Sequence, residues 1–67
     1  MQKVTLNGKE VPMSNQMDLE SFLFANNYKE KYIAVAVNKL SVPRSLLNTH
    51  LLKDGDKIEV LSPMAGG

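Results

Sequence analysis

No cysteine occurs among the 67 residues of this chain, and at this length that is the tightest constraint on its fold. So short a chain buries only about 60% of the surface its unfolded form exposes, which leaves a thin core. Without cysteine, neither a disulfide nor a thiolate zinc site can reinforce it. Cohesion has to come from packing the apolar residues, which make up 43% of the sequence. The length fits one small domain. A deep cleft with water-excluding walls is hard to build from so little material, so a binding or carrier role is favoured over catalysis.

Charge narrows the partners. Eight basic and seven acidic residues give a net charge of +1 with no basic block, so the electrostatic footprint of nucleic-acid binding is missing. After Met1-Gln2-Lys3 the pattern alternates and offers no apolar core of a secretory signal. The longest apolar run, Tyr32 to Val37, is far below the roughly 20 residues that span a bilayer. The expectation is a soluble, cytoplasmic protein that binds neither membrane nor nucleic acid.

The chain opens as a hairpin. Val4 and Leu6 alternate with Lys3 and Thr5, and Val11 follows Asn7-Gly8, a dipeptide that accepts the positive φ angles of a type I′ turn. Pro12 cannot donate to a ladder, so the second strand should end there or lie on an edge. Asp18 reads as a helix N-cap, with Met17 and Phe22 placed for a hydrophobic staple. Leu19, Phe22 and Leu23 share one helical face, Phe24 lies off it, and Asn26-Asn27 is the expected stop, for a helix of roughly 9 to 10 residues.

Ile33 to Val37 is apolar at every position, as expected of a central strand. Asn38-Lys39 then reads as a turn, Leu40 to Val42 as a short strand, and Ser45 to Leu52 as an irregular or short helical crossover. Asp54-Gly55-Asp56 is a strong turn signal before a final strand, Lys57 to Leu61, with Ile58 and Val60 on one face. The expected order is β-β-α-β-(β)-β, an α+β domain with one helix across a small mixed sheet. With a hairpin before the helix and a strand after it, the two terminal strands can pair centrally, which is the ubiquitin-like β-grasp arrangement. The expected organisation is a domain over residues 1–62 and a flexible tail over 63–67.

That tail carries the chemistry. A terminal Gly-Gly would arise by chance about 0.5% of the time at an average glycine usage of ~7%, which sets a functional reading against a merely disordered end. Two residues without Cβ atoms pass through a narrow channel and bring a carboxylate against a partner's backbone. From Pro63 to Gly67 an extended tail reaches about 17 Å, enough to enter another protein's active site. A carboxylate is a poor electrophile and needs activation, for instance as an acyl-adenylate. The sequence has no G-x-x-x-x-G-K-[ST] loop, no metal-ligand cluster and no nucleophilic cysteine, so the chain reads as the substrate of partner enzymes.

Ile33-Ala34-Val35-Ala36-Val37-Asn38, Val42-Pro43-Arg44, Leu52-Lys53-Asp54-Gly55-Asp56-Lys57-Ile58-Glu59 and the final Ala65-Gly66-Gly67, in this order and spacing, resemble the sulfur carriers of thiamine biosynthesis over essentially the whole chain. One departure is Leu47, where relatives often carry Trp. The resemblance implies that an E1-like adenylyltransferase uses ATP and magnesium to convert the Gly67 carboxylate to an acyl-adenylate. A persulfide sulfur donor then displaces AMP to leave a thiocarboxylate, and thiazole synthase takes that sulfur. Gly67 alone would be covalently changed, while Gly66, Ala65 and Met64 would be threaded into both partners. No cofactor or metal would be bound by this chain, which would be a protein co-substrate and no enzyme.

Blander readings compete at other positions. His50 lacks a second metal ligand and reads as structural, and Asp54 and Asp56 read as turn residues rather than a calcium loop. Arg44 is either a contact for a partner's carboxylate or phosphate or a solvated charge. Met64 and Phe24 are candidate exposed apolar contacts. Rival functions are the small subunit of molybdopterin synthase, a ubiquitin-like modifier joined to lysines through Gly67, and a binding module with an incidental tail.

Overall fold

The computed structural model describes residues 2–13, 15–28 and 34–61. Five strands form one sheet: β1 Gln2–Leu6, β2 Lys9–Met13, β3 Ala34–Val37, β4 Leu40–Ser41 and β5 Lys57–Leu61, in the order β2-β1-β5-β3-β4. Among the described residues one α-helix, α1 Leu19–Ala25, packs on one face. The two terminal strands lie side by side in parallel, Thr5 opposite Lys57 and Leu6 opposite Ile58, while every other pairing is antiparallel. This is the ubiquitin-like α+β sheet expected from the element order.

Each element follows from local chemistry. Asn7 and Gly8 turn the first hairpin with φ of 51° and 83°, both in the left-handed region that a type I′ turn requires. Pro12 lies inside β2 opposite Lys3, and β2 is an edge strand, where a missing N–H is tolerated. Val4, Met13, Val35, Val37, Ile58 and Val60 bury their side chains on the helix side, and Leu19, Phe22 and Leu23 meet them from α1.

The helix spans seven residues, and its caps account for the rest of the expected length. The Asp18 carboxylate accepts from the Ser21 backbone N–H at 2.9 Å and from its hydroxyl at 2.7 Å. The free amides of Leu19 and Glu20 donate to the carbonyls of His50 (2.8 Å) and Leu47 (3.1 Å), so the crossover satisfies what the cap does not. At the other end Asn27 turns left-handed with φ of 71°, Tyr28 N–H donates to the Leu23 carbonyl and Asn27 N–H to that of Phe24. These two bonds make a Schellman stop, and Tyr28 folds back against the core.

Three expectations are corrected. The crossover's helical part is a 3-10 turn at Arg44–Leu46, one residue earlier than anticipated, since Pro43 in extended geometry starts it. The strand Leu40 to Val42 shortens to Leu40–Ser41, although Val42 N–H still donates to the Val35 carbonyl at 2.8 Å. β3 is interior, as expected, but only one of its faces is covered, and β5 takes the middle of the sheet beside β1, as the central pairing of the terminal strands implied. β3 lies between β5 and the edge strand β4, burying Val35 and Val37 and turning the small Ala34 and Ala36 to the open face. Ile33, expected in that strand, is outside the described residues. Leu47, at the position of the family departure, is buried in the core with 2% exposure.

Candidate functional site

Met64, Ala65, Gly66 and Gly67, the residues expected to carry the chemistry, lie outside the described residues, as does the expected tail over 63–67. The described part of the site is the base from which they follow: the C-terminal end of β5 and the surfaces around it. β5 sits at the middle of the sheet and is bonded on both flanks. Toward β3 it pairs Leu61 with Ala34 and Glu59 with Ala36. Toward β1 the parallel ladder runs from Thr5 N–H to the Asp56 carbonyl (2.9 Å) and from Asn7 N–H to the Ile58 carbonyl (2.8 Å).

Beyond Asn7 the first strand has already turned away. Its side chain takes over: the Asn7 carboxamide oxygen accepts from Val60 N–H at 2.7 Å, and its nitrogen donates to the Val60 carbonyl and to the Tyr28 hydroxyl, both at 3.3 Å. Asn7 thereby joins the hairpin, the helix stop and the last strand at the residue before Leu61. Its Asn-Gly context signals a turn, but nothing nearby in sequence announces bonds to a partner 53 residues away.

On the face away from the helix, Leu61 is 58% exposed beside Ala34 and Ala36. They border a shallow groove of about 410 Å³ that Ser41 and Glu59 complete. Toward β1 and β2 the same face carries Lys57, Thr5, Pro12 and the exposed pair Lys3–Glu10 at 3.8 Å, worth at most about 1 kcal/mol. The open face thus carries Leu61, Ala34 and Ala36 near the end of β5, with Glu59 beside them, and more charge toward its start.

The remaining candidates lie elsewhere. Phe24 is 59% exposed on α1, as its off-stripe position implied. Arg44 is exposed on the 3-10 turn. His50 is half-buried, and its carbonyl accepts from Leu19 N–H, a structural task. Asp54 and Asp56 build the expected turn: Asp54 accepts from Lys3 N–H at 2.8 Å, and the buried Asp56 accepts from Lys53 N–H at 2.8 Å and from the Asn38 carboxamide at 3.0 Å. Among the described residues no three His, Cys, Asp or Glu side chains come together as a metal site.

Comparison with known proteins places this geometry. The ThiS family model matches residues 2–67. A crystal structure of a thiamine biosynthesis protein from Geobacter metallireducens superposes with a TM-score of 0.79 at 28% identity, covering 98% of this chain and all of that one. A solution structure of a thiamine biosynthesis protein from the same organism gives 0.76 at 29% identity, over 98% of this chain and 88% of that one. Among curated sequences, the uncharacterized protein ycf40 of Pyropia yezoensis is 28% identical over 64 residues, 96% of this chain and 90% of that protein.

Proposed function

The chain belongs to the ThiS family of ubiquitin-like sulfur carriers, and from that premise we propose that it carries sulfur on Gly67 for the thiazole of thiamine. The Gly67 carboxylate attacks the α-phosphorus of ATP on an E1-like adenylyltransferase, pyrophosphate leaves, and an acyl-adenylate forms. The terminal sulfur of a persulfide donor attacks the acyl carbon and expels AMP. A thiol reduces the resulting S–S bond and frees the thiocarboxylate, whose sulfur passes to thiazole synthase. ATP and magnesium belong to the partner; this chain acts as co-substrate.

The observation that carries this reading is the pairing of a Gly-Gly terminus with an apolar sheet end six residues upstream of it, at Leu61. The patch of Leu61, Ala34 and Ala36 gives a partner something to grip, and Met64, Ala65 and Gly66 are the segment threaded into its channel. Among the described residues no helix is long and apolar enough to cross a membrane. We place the carrier in the cytoplasm with its enzymes.

Reconstitution tests the assignment. The chain is incubated with the adenylating enzyme, ATP, magnesium and a persulfide donor, and the product is offered separately to thiazole synthase and to the large subunit of molybdopterin synthase. Sulfur transfer with thiazole synthase alone is the expected result. Transfer only with the molybdopterin subunit would move the chain to the rival pathway, and conjugates to lysine would make it a modifier.

A further inference from the structure

Leu40 pairs with Val37 across the turn between β3 and β4, so both side chains point to the helix side of the sheet. Val37 is buried there, whereas Leu40, on the edge strand, is 72% exposed. Leu46 of the 3-10 turn is 50% exposed. Both leucines line a groove of about 440 Å³, together with Val37, Val42, His50 and Lys53. A lone exposed leucine needs no explanation. Two of them on one groove leave apolar surface that the described part of the chain does not cover.

The groove borders β4, the outer strand of the sheet. Leu40 faces Val37, and Val42 N–H donates to the Val35 carbonyl. These residues turn their backbone groups toward β3, which leaves the N–H and C=O of Ser41 on the outer side. Among the described residues no strand pairs with that side. The next outward position is Pro43, which has no N–H, so an added strand finds a donor and an acceptor at Ser41 but no continuing ladder. Main-chain pairing this short holds a partner only if a side chain also fills the groove.

Charge selects the occupant. From Lys31 to Lys53 the chain has four basic residues, one histidine and no Asp or Glu. Lys39, Arg44 and Lys53 are exposed on the turns around the groove. Of the acidic residues that follow, Asp56 is buried with both oxygens accepting hydrogen bonds, and Asp54 accepts from Lys3 N–H. Glu59 alternates with the buried Ile58 and Val60 and so points to the opposite face.

We propose that this groove and the outer side of Ser41 take an extended acidic segment of a partner protein. One apolar side chain of that segment sits between Leu40 and Leu46, and its carboxylates meet Lys39 and Lys53. A nucleic acid would satisfy the charges but not the apolar walls. A second copy of β4 would bring the same basic rim against itself, which like charges oppose. The groove lies on the helix side of the edge strand, away from Leu61, and the proposal stands whether or not Gly67 carries sulfur.

The test titrates the isotope-labelled full chain with two acetylated, amidated peptides, Glu-Asp-Val-Leu-Val-Asp-Glu and its counterpart with lysine at every acidic position. Amide chemical shifts give both the site and the Kd. The acidic peptide is expected to shift Leu40, Ser41, Leu46, His50 and Lys53, and to bind at least about tenfold more tightly than the basic one at low salt. Leu40→Ser should weaken it about fivefold through lost apolar contact. Lys53→Glu should weaken it about threefold and narrow the preference between the peptides. Both side chains are exposed, so both variants should keep the fold.

No shift at about millimolar acidic peptide, or shifts confined to Ala34, Ala36 and Leu61, would overturn the groove as the site. Equal affinity for the two peptides, or no weakening in either variant, would overturn the assigned chemistry. Oligothymidylate shifting the same amides as strongly would give the groove to nucleic acid. Shifts at Leu40 that grow with chain concentration alone would give it to a second copy. Either result would overturn the proposal.

Discussion

At its start, β5 is tied down by a dense group of bonds. Asp54 accepts from Lys3 N–H, Gly55 N–H donates to the Lys3 carbonyl at 2.7 Å, Asp56 holds both Lys53 N–H and Asn38, and Asn38 brackets Lys57 on its N–H and its carbonyl. At its end, one carboxamide and one tyrosine hydroxyl hold Val60 on the β1 side. The start includes a buried carboxylate whose hydrogen bonds are of the stronger, charge-assisted kind, whereas the end relies on neutral groups, two of its three bonds at 3.3 Å. Global stability therefore concentrates at the start of the strand. At its end, the β1 side of Val60 rests on fewer and weaker bonds.

The largest contrast comes from cutting beyond the end. Deleting Gly66 and Gly67 should abolish thiocarboxylate formation and leave the unfolding temperature unchanged, as read by intact mass and calorimetry. A residual thiocarboxylate on the shortened chain would contradict the assignment of Gly67.

Asp56→Ala strikes the start. Removing a buried acceptor of two hydrogen bonds should cost about 3 kcal/mol, a large part of what so small a domain has to spare. Denaturant unfolding measures the loss, and adenylation assayed under conditions where the variant is still folded should keep its rate. A rate that drops with the domain folded would erase the division between the two ends.

Asn7→Gly and Asn38→Gly sharpen the comparison. Asn7→Gly should lower stability by about 1 to 2 kcal/mol, and Asn38→Gly by more, since it also takes a donor from the buried Asp56 carboxylate, both at turn positions that glycine fits. A clearly larger loss at Asn7 would mean that the end of the strand, too, is a centre of stability.

The smallest effect is remote from both ends and concerns pH. Hydrogen bonds from the Ser21 backbone N–H, then from its hydroxyl, hold the Asp18 carboxyl below its ordinary value of 3.8. A carboxyl lowered on folding contributes stability that is complete above its unfolded pKa and lost as pH falls through the folded value. Asp18→Asn keeps a capping oxygen but does not titrate. The stability difference between wild type and Asp18→Asn should hold steady at neutral pH and shift against wild type only below 3.8. Thermal unfolding followed down to about pH 2 checks it. A change centred near neutral pH would point to another group.

Elements whose causes are local were legible in the sequence: the Asn7-Gly8 turn, the Asp18 cap, the Leu19, Phe22 and Leu23 face, and the alternation of Ile58 and Val60. β3 was legible as an interior strand, but its all-apolar run also read as covered on both faces. Its alanines are small enough to sit on the open face at little cost. The site divided in the same way. Its proposed chemical end, Gly66-Gly67, is a sequence signature. Its base depends on side chains reaching across the sheet, and Asn7 could be read only as a turn former until Val60 was placed beside it.

The measurement closest to the central claim is the intact mass of the chain after incubation with its adenylating enzyme, ATP and a sulfur donor. A gain matching replacement of one C-terminal oxygen by sulfur, absent when Gly67 is deleted, is the predicted result. No gain, with the enzyme shown to be active on another carrier, would contradict it.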